Sequence, residues 1–152
     1  MNKNPANFVP LTPISFLHRT ADIYGQHQAV VYENSSYTWH ESRDRCVRMA
    51  SSLSKMGVQK GDTIAVFTFN TPEMFESHFS VPMSGAILNT INVRLDANTV
   101  AYILDDGNAK ALIVDRELFD VAFKALSVSL SQPIVILIDD EFADTKPEVN
   151  SD

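Results

Sequence analysis

Between residues 58 and 115 the apolar positions alternate between two patterns. Thr63–Phe69 (TIAVFTF), Ala86–Thr90 (AILNT) and Ala111–Val114 (ALIV) are apolar-rich stretches of strand length, the first of them continuous rather than alternating. Runs without polar alternation are expected of strands buried on both faces. Between them, apolar residues recur at helical spacing: Phe75, Phe79 and Met83, then Val100, Ile103 and Leu104. Strand-like and helical stretches in alternation predict a parallel sheet flanked by helices, an α/β fold.

The flanks extend this plan. Thr12-Pro13 reads as an N-cap with proline at the first helical position, and Phe16, Leu17, Thr20, Ala21 and Tyr24 share one face before Gly25. Ala29–Tyr32 reads as a strand, Asn34-Ser35-Ser36 as a turn, and Tyr37-Thr38 as the return, giving a short β-hairpin. Thr38 to Glu41 has capping-box spacing. The helix it opens runs to about Met56, with Cys46, Met49, Ala50, Leu53 and Met56 as its apolar stripe and Gly57 as its stop. Pro72 opens a helix that Pro82 would kink or end. Asp96 can cap the next, which Gly107 closes. Leu118, Val121, Ala122, Ala125 and Leu126 mark another; Ser127–Gln132 reads as a polar connector and Pro133–Ile138 as a further strand of the buried type.

Composition narrows the function classes. The net charge is −7, with about −5 of it from Arg116 onward, and six of the last 14 residues are acidic. No basic face for nucleic acid is visible, and no apolar run approaches the ~20 residues of a membrane span. The N-terminus lacks the apolar core of a secretory signal, so the expectation is an intracellular, cytoplasmic or organellar protein that is not secreted. The single cysteine, Cys46, excludes an internal disulfide.

Chemistry is sparse. The five glycines (25, 57, 61, 85 and 107) form neither a Walker loop nor a dinucleotide fingerprint. His18, His27, His40 and His78 have no close-spaced ligand pattern. His78, beside Phe75 and Phe79, reads as a hydrogen-bonded core residue before a pocket residue, and Cys46 as a small core residue. Asp105-Asp106 reads as a solvated helix end. Asn92 and Arg94 follow a strand's carboxyl end, where open α/β sheets bind ligands, and keep a small functional claim against turn and surface roles.

Several segments together carry a resemblance: Leu11–Ala21 (LTPISFLHRTA), Tyr37-Thr38-Trp39, Gly61-Asp62, His78–Asp96 (HFSVPMSGAILNTINVRLD) and Ala109–Asp115 (AKALIVD). From Leu11 to Ile138 the chain is similar to the N-terminal part of the plant-type acyl-activating enzymes, AMP-forming acyl-CoA synthetases (carboxylate–CoA ligases) of the adenylate-forming superfamily. The resemblance implies a partial N-terminal subdomain of the ligase fold, with residues 12–138 as its incomplete large-domain portion, 1–11 an irregular arm and 139–152 a disordered acidic tail. For the full-length family it implies a carboxylic acid substrate, ATP, Mg²⁺ and CoA, with a peroxisomal destination open if a longer C-terminus carries the signal. The family's phosphate loop ending in Pro-Lys-Gly, its Thr-Glu motif, ribose-binding Asp, hinge and C-terminal Lys match no position among these 152 residues. No catalytic, cofactor-binding or metal-binding residue is therefore carried over, and the chain alone is expected to be inactive. The alternative is a non-enzymatic interaction module, associating through an exposed sheet edge. A third reading, an independent nucleotide-binding domain, is disfavoured by the missing phosphate loop.

Overall fold

The computed structural model describes residue 4, residues 8–9 and residues 11–139. Most of the arm expected over 1–11, and the tail after 139, lie outside the described residues. The fold is α/β. Its centre is a four-stranded parallel sheet of β3 (Thr63–Phe67), β4 (Ile87–Thr90), β5 (Ala109–Asp115) and β6 (Ile134–Ile138), in the spatial order β4-β3-β5-β6. A separate antiparallel hairpin, β1 (Gln28–Tyr32) and β2 (Ser35–Thr38), precedes it.

The hairpin turn is tighter than expected. Tyr32 already pairs with Ser35, so Glu33-Asn34 forms the whole connection. Glu33 takes a positive φ of 49°, which a two-residue hairpin turn favours, and this frees both serines for the ladder.

The helices open as their caps direct. In α1 (Pro13–Tyr24) the Thr12 hydroxyl accepts from the Ser15 amide at 3.2 Å, and the Ser15 hydroxyl accepts from the Thr12 amide at 3.0 Å. Only Leu17 and Ala21 of its expected stripe are fully buried; Phe16 and Tyr24 are exposed. In α2 (Trp39–Lys55) Glu41 accepts from the Thr38 amide at 2.8 Å and the Thr38 hydroxyl accepts from the Glu41 amide at 3.3 Å, completing the capping box. Gly57, at φ 88°, takes the left-handed turn that follows. Asp96 caps α4 (Ala97–Asp106), accepting from the amides of Asn98 and Thr99.

The sheet separates two cores. On one face Ala65 and Phe67 of β3 and Leu112 and Val114 of β5 meet Val100, Ala101 and Leu104 of α4, and Ala122 and Ala125 of α5 (Phe119–Val128). On the other, Ile64, Val66, Ala111 and Ile113 meet Leu53 of α2 and Val81 of α3 (Pro72–Met83). Period-two alternation along β3 and β5 sends successive side chains to the two faces, which is why both strands read as continuous apolar runs.

Four expectations are corrected. The third strand ends at Phe67, two residues early, because the Thr71 amide donates to the Phe69 carbonyl at 2.8 Å and turns the chain into α3. The fully buried residues of α3 are Pro72, Glu76, Ser77, Ser80 and Val81; Phe75 and Phe79 are only half-buried and meet edge-on, 5.2 Å apart. Small serines let α2 and α3 approach, and Glu76 is tolerated there because Arg45 pairs with it. The last helix, α5, runs on to Val128, into the expected connector. β6 is an edge strand rather than a fully buried one: Ile134 is 39% and Val135 40% exposed.

Candidate functional site

The sequence order of the strands creates one special position. From β3 the chain steps to β4 on one side, then crosses to β5 on the other. The carboxyl ends of β3 and β5 therefore flank a switch point, where open α/β sheets form their ligand crevices. Thr68, just past β3, and Asp115, the last residue of β5, meet there: the Thr68 hydroxyl donates to Asp115 Oδ2 at 3.3 Å. Both are 2% exposed. The Thr71 hydroxyl lies 3.5 Å from that of Thr68. Asp115 Oδ1 accepts from the Glu117 amide at 2.9 Å, capping a single 3₁₀ turn over Arg116–Leu118. This polar knot ties the loop after β3 to the end of β5, and its carboxylate is engaged rather than presented.

Beside it, toward β4, opens a cleft of about 440 Å³ lined by Thr68, Phe69, Asn70, Met74, His78, Thr90, Ile91, Asn92 and Val93. Two of the weighed residues come together there. Asn92 spends its side-chain oxygen on the Arg94 amide at 3.0 Å, an Asx turn. Arg94 is exposed and does not line the cleft. His78 is exposed, which corrects the core reading, although the hydrogen bond is there: Nδ1–H donates to the Met74 carbonyl at 2.8 Å. That bond fixes the tautomer of the neutral ring, leaving Nε2 as its acceptor nitrogen.

The other weighed residues are structural. Cys46 is fully buried, with its thiol 3.7 Å from the Glu76 carbonyl. Burial pushes that thiol up to about 12, the reverse of an activated nucleophile. Asp105 is not a merely solvated helix end. Its carboxylate accepts from the Ser129 hydroxyl at 2.6 Å and from the amides of Ser131 and Leu130 at 2.8 and 3.2 Å, pinning the α5–β6 connection to α4. The Ser129 hydroxyl and those two amides hold its carboxyl down to about 2. Asp106 is exposed.

Sequence reasoning missed the ion cluster around Arg45. Arg45 of α2 donates from Nε to Glu76 and from Nη2 to Glu73 at 3.2 Å, and its guanidinium stacks 4.5 Å above the Tyr37 ring. Burial holds the Glu76 carboxyl above its ordinary range despite Arg45. The pair spans 31 residues, so local spacing does not announce it. The i, i+3 placement of Glu73 and Glu76 on one face of α3 was the available hint. Above it a groove of about 360 Å³ runs between α2 and α3 to β6, with Ile113, Ile136 and Ile138 along it.

Among the described residues no group of three or more His, Cys, Asp or Glu side chains could hold a metal ion. The glycines whose amides could approach a phosphate lie at separate turns, and the switch-point carboxylate is already hydrogen-bonded.

This open parallel α/β layer, preceded in the chain by a hairpin, matches the N-terminal domain of adenylate-forming ligases. The AMP-binding enzyme family matches residues 17–152, and the chain belongs to that family. It is 47% identical over 142 residues to the Arabidopsis thaliana protein named "Probable acyl-activating enzyme 8", covering 93% of this chain and 26% of that protein. It is 42% identical to the peroxisomal trans-cinnamate:CoA ligase of Petunia hybrida, covering 93% of this chain and 27% of the relative. The chain thus spans about a quarter of the length of these relatives. Among solved structures, a fatty acyl CoA synthetase of Mycobacterium tuberculosis superposes with a TM-score of 0.75 at 25% identity, covering 90% of this chain and 30% of that one. The anthranilate CoA ligase AuaEII, in complex with anthranoyl-AMP, shares the fold at a TM-score of 0.78 and 22% identity, over 82% of this chain and 24% of its own.

Proposed function

We propose that this chain forms the opening part of the large domain of an AMP-forming acid–CoA ligase, with residues 12–138 as the folded unit. The reaction is ATP-dependent activation of a carboxylic acid through an acyl-adenylate to an acyl-CoA. The observation that carries this reading is the match to relatives named as acyl-activating enzymes and CoA ligases across 93% of the chain. ATP, Mg²⁺ and CoA would be used by the full-length enzyme, which is read as intracellular; several relatives are named peroxisomal. The described residues include no helix long and apolar enough to cross a membrane.

What these residues supply is framework. β3 and β5 carry their loops to the switch point, Thr68 and Asp115 lock those loops together, and α4 and α5 close one face. The 152 residues alone catalyse neither half-reaction. In carboxylate-dependent ATP–pyrophosphate exchange the purified chain is expected to give no signal. A graft of residues 12–138 into the corresponding region of the Petunia ligase is expected to retain exchange with trans-cinnamate. Exchange by the isolated chain, abolished by a substitution within it, would overturn the inactivity; a folded but inactive graft would overturn the framework role. The edge of β6, unpaired among the described residues, favours a second reading, a non-enzymatic module that binds a partner through that edge.

A further inference from the structure

Both sheet edges are free among the described residues, and they differ. β4 carries the polar Asn89 and Thr90, and α3 packs against it. β6 is IVILI, five apolar residues with no charge or proline inside the strand to discourage another strand. Beside it, on the α2–α3 face, lies the open groove over Ile113, Ile136 and Ile138. Covering this region takes two elements. A strand entering beyond β6 by the right-handed step that produced β6 would place its helix on the α4–α5 face. The groove would then still need an element of its own. A short peptide cannot supply both. A second copy pairing its β6 antiparallel would do so about a two-fold axis perpendicular to the sheet. Its α2 and α3 would stay over its own strands, so the two grooves would merge without being filled.

We infer that β6 and the groove beside it are a docking surface for the downstream part of an acid–CoA ligase, which this chain can bind when that part is a separate polypeptide. The inference rests on the framework reading above. It is motivated by length: the relatives matched over 93% of this chain extend to roughly four times the matched region. They therefore have a domain-sized partner to offer, where the groove and edge together demand one.

The test co-expresses the full 152-residue chain with the Petunia ligase deleted for its matching segment, followed by affinity capture and light scattering. A one-to-one complex is expected. Ile134→Lys and Ile136→Asp, one at the exposed start of the strand and one in the groove, should each weaken it at least about tenfold. Tyr102→Asp, on the exposed side of α4, should not. Circular dichroism on each variant separates lost docking from lost folding. No complex alongside an active covalent graft overturns the docking inference and leaves the ligase reading intact; an inactive, folded graft removes both. A self-associated chain that excludes the ligase part, and that Ile134→Lys makes monomeric, assigns the edge to a second copy and also overturns the inference.

Discussion

The two faces of the sheet are built differently, and the difference follows from strand order. The steps from β4 to β5 and from β5 to β6 run the same way, so right-handed crossovers place α4 and α5 together on one face. The step from β3 to β4 runs the opposite way and puts α3 on the other, beside α2. The α4–α5 face is closed over β3 and β5 by apolar side chains that reach from Phe67 to Ala125. The α2–α3 face is aliphatic over β3, carries the Arg45–Glu73–Glu76 cluster at its rim, and opens over β6. The α4–α5 face is closed over β3 and β5 and leaves Val135 of β6 40% exposed, whereas the other face is closed only where α2 and α3 reach and opens into a groove over β6.

Truncations across the two faces should show this most strongly. Leu112→Ala, fully buried under α4 and α5, is expected to cost about 3 kcal/mol, since transfer and cavity losses add. Ile136→Ala, half-buried on the open side, should cost about 1 kcal/mol. Urea denaturation measures both. Equal costs would mean that the groove is packed as tightly as the closed core.

The ion cluster gives the next effect. Arg45→Met leaves the Glu76 carboxylate buried and without its strongest partner, at an expected cost of about 2 kcal/mol. That is below the ~3–5 kcal/mol of a fully buried pair, because the Arg45 side chain is 27% exposed. Adding Glu76→Gln should recover most of the loss in a double-mutant cycle. Glu76, raised in the folded state, binds protons more readily there than when unfolded. Its contribution is therefore most favourable at low pH and declines as pH rises from the ordinary glutamate value through its elevated one.

Asp105 gives the smallest and opposite effect. Its folded-state value lies near 2 against an ordinary 3.8, so the stability it adds is present above pH 3.8 and lost as pH falls toward 2. The melting-temperature advantage over Asp105→Asn should shrink across that window. An advantage unchanged between pH 5 and pH 2 would show that the Ser129 and Ser131 contacts do not depend on the charge.

What was legible in the sequence tracks what is local. The capping pairs Thr12–Ser15 and Thr38–Glu41 lie three residues apart, and the Thr38 box was readable from spacing alone. The buried runs of β3 and β5 announced a parallel sheet because both faces of those strands are covered. β6 carries the same apolar signal without the same burial, since a run of Ile and Val does not say whether a neighbouring strand or helix arrives. The α3 helix misled for a related reason: Phe75 and Phe79 suggested the inward face, while an arginine 31 residues before Glu76 turned the serine–glutamate side inward. Asp115 and Thr68, 47 residues apart, meet only through the strand crossover. The resemblance was legible in long contiguous stretches, and the family match confirmed it.

Amide hydrogen exchange on the isolated chain, followed residue by residue, tests the central contrast most directly. Amides from Ala111 to Val114, paired with strands on both sides, should be the slowest. The outward-directed amides of Ile134–Ile138 should exchange faster by about two orders of magnitude. Protection of every β6 amide to the level of β5 would contradict the account, because it would show that the edge and its groove are already covered within this chain.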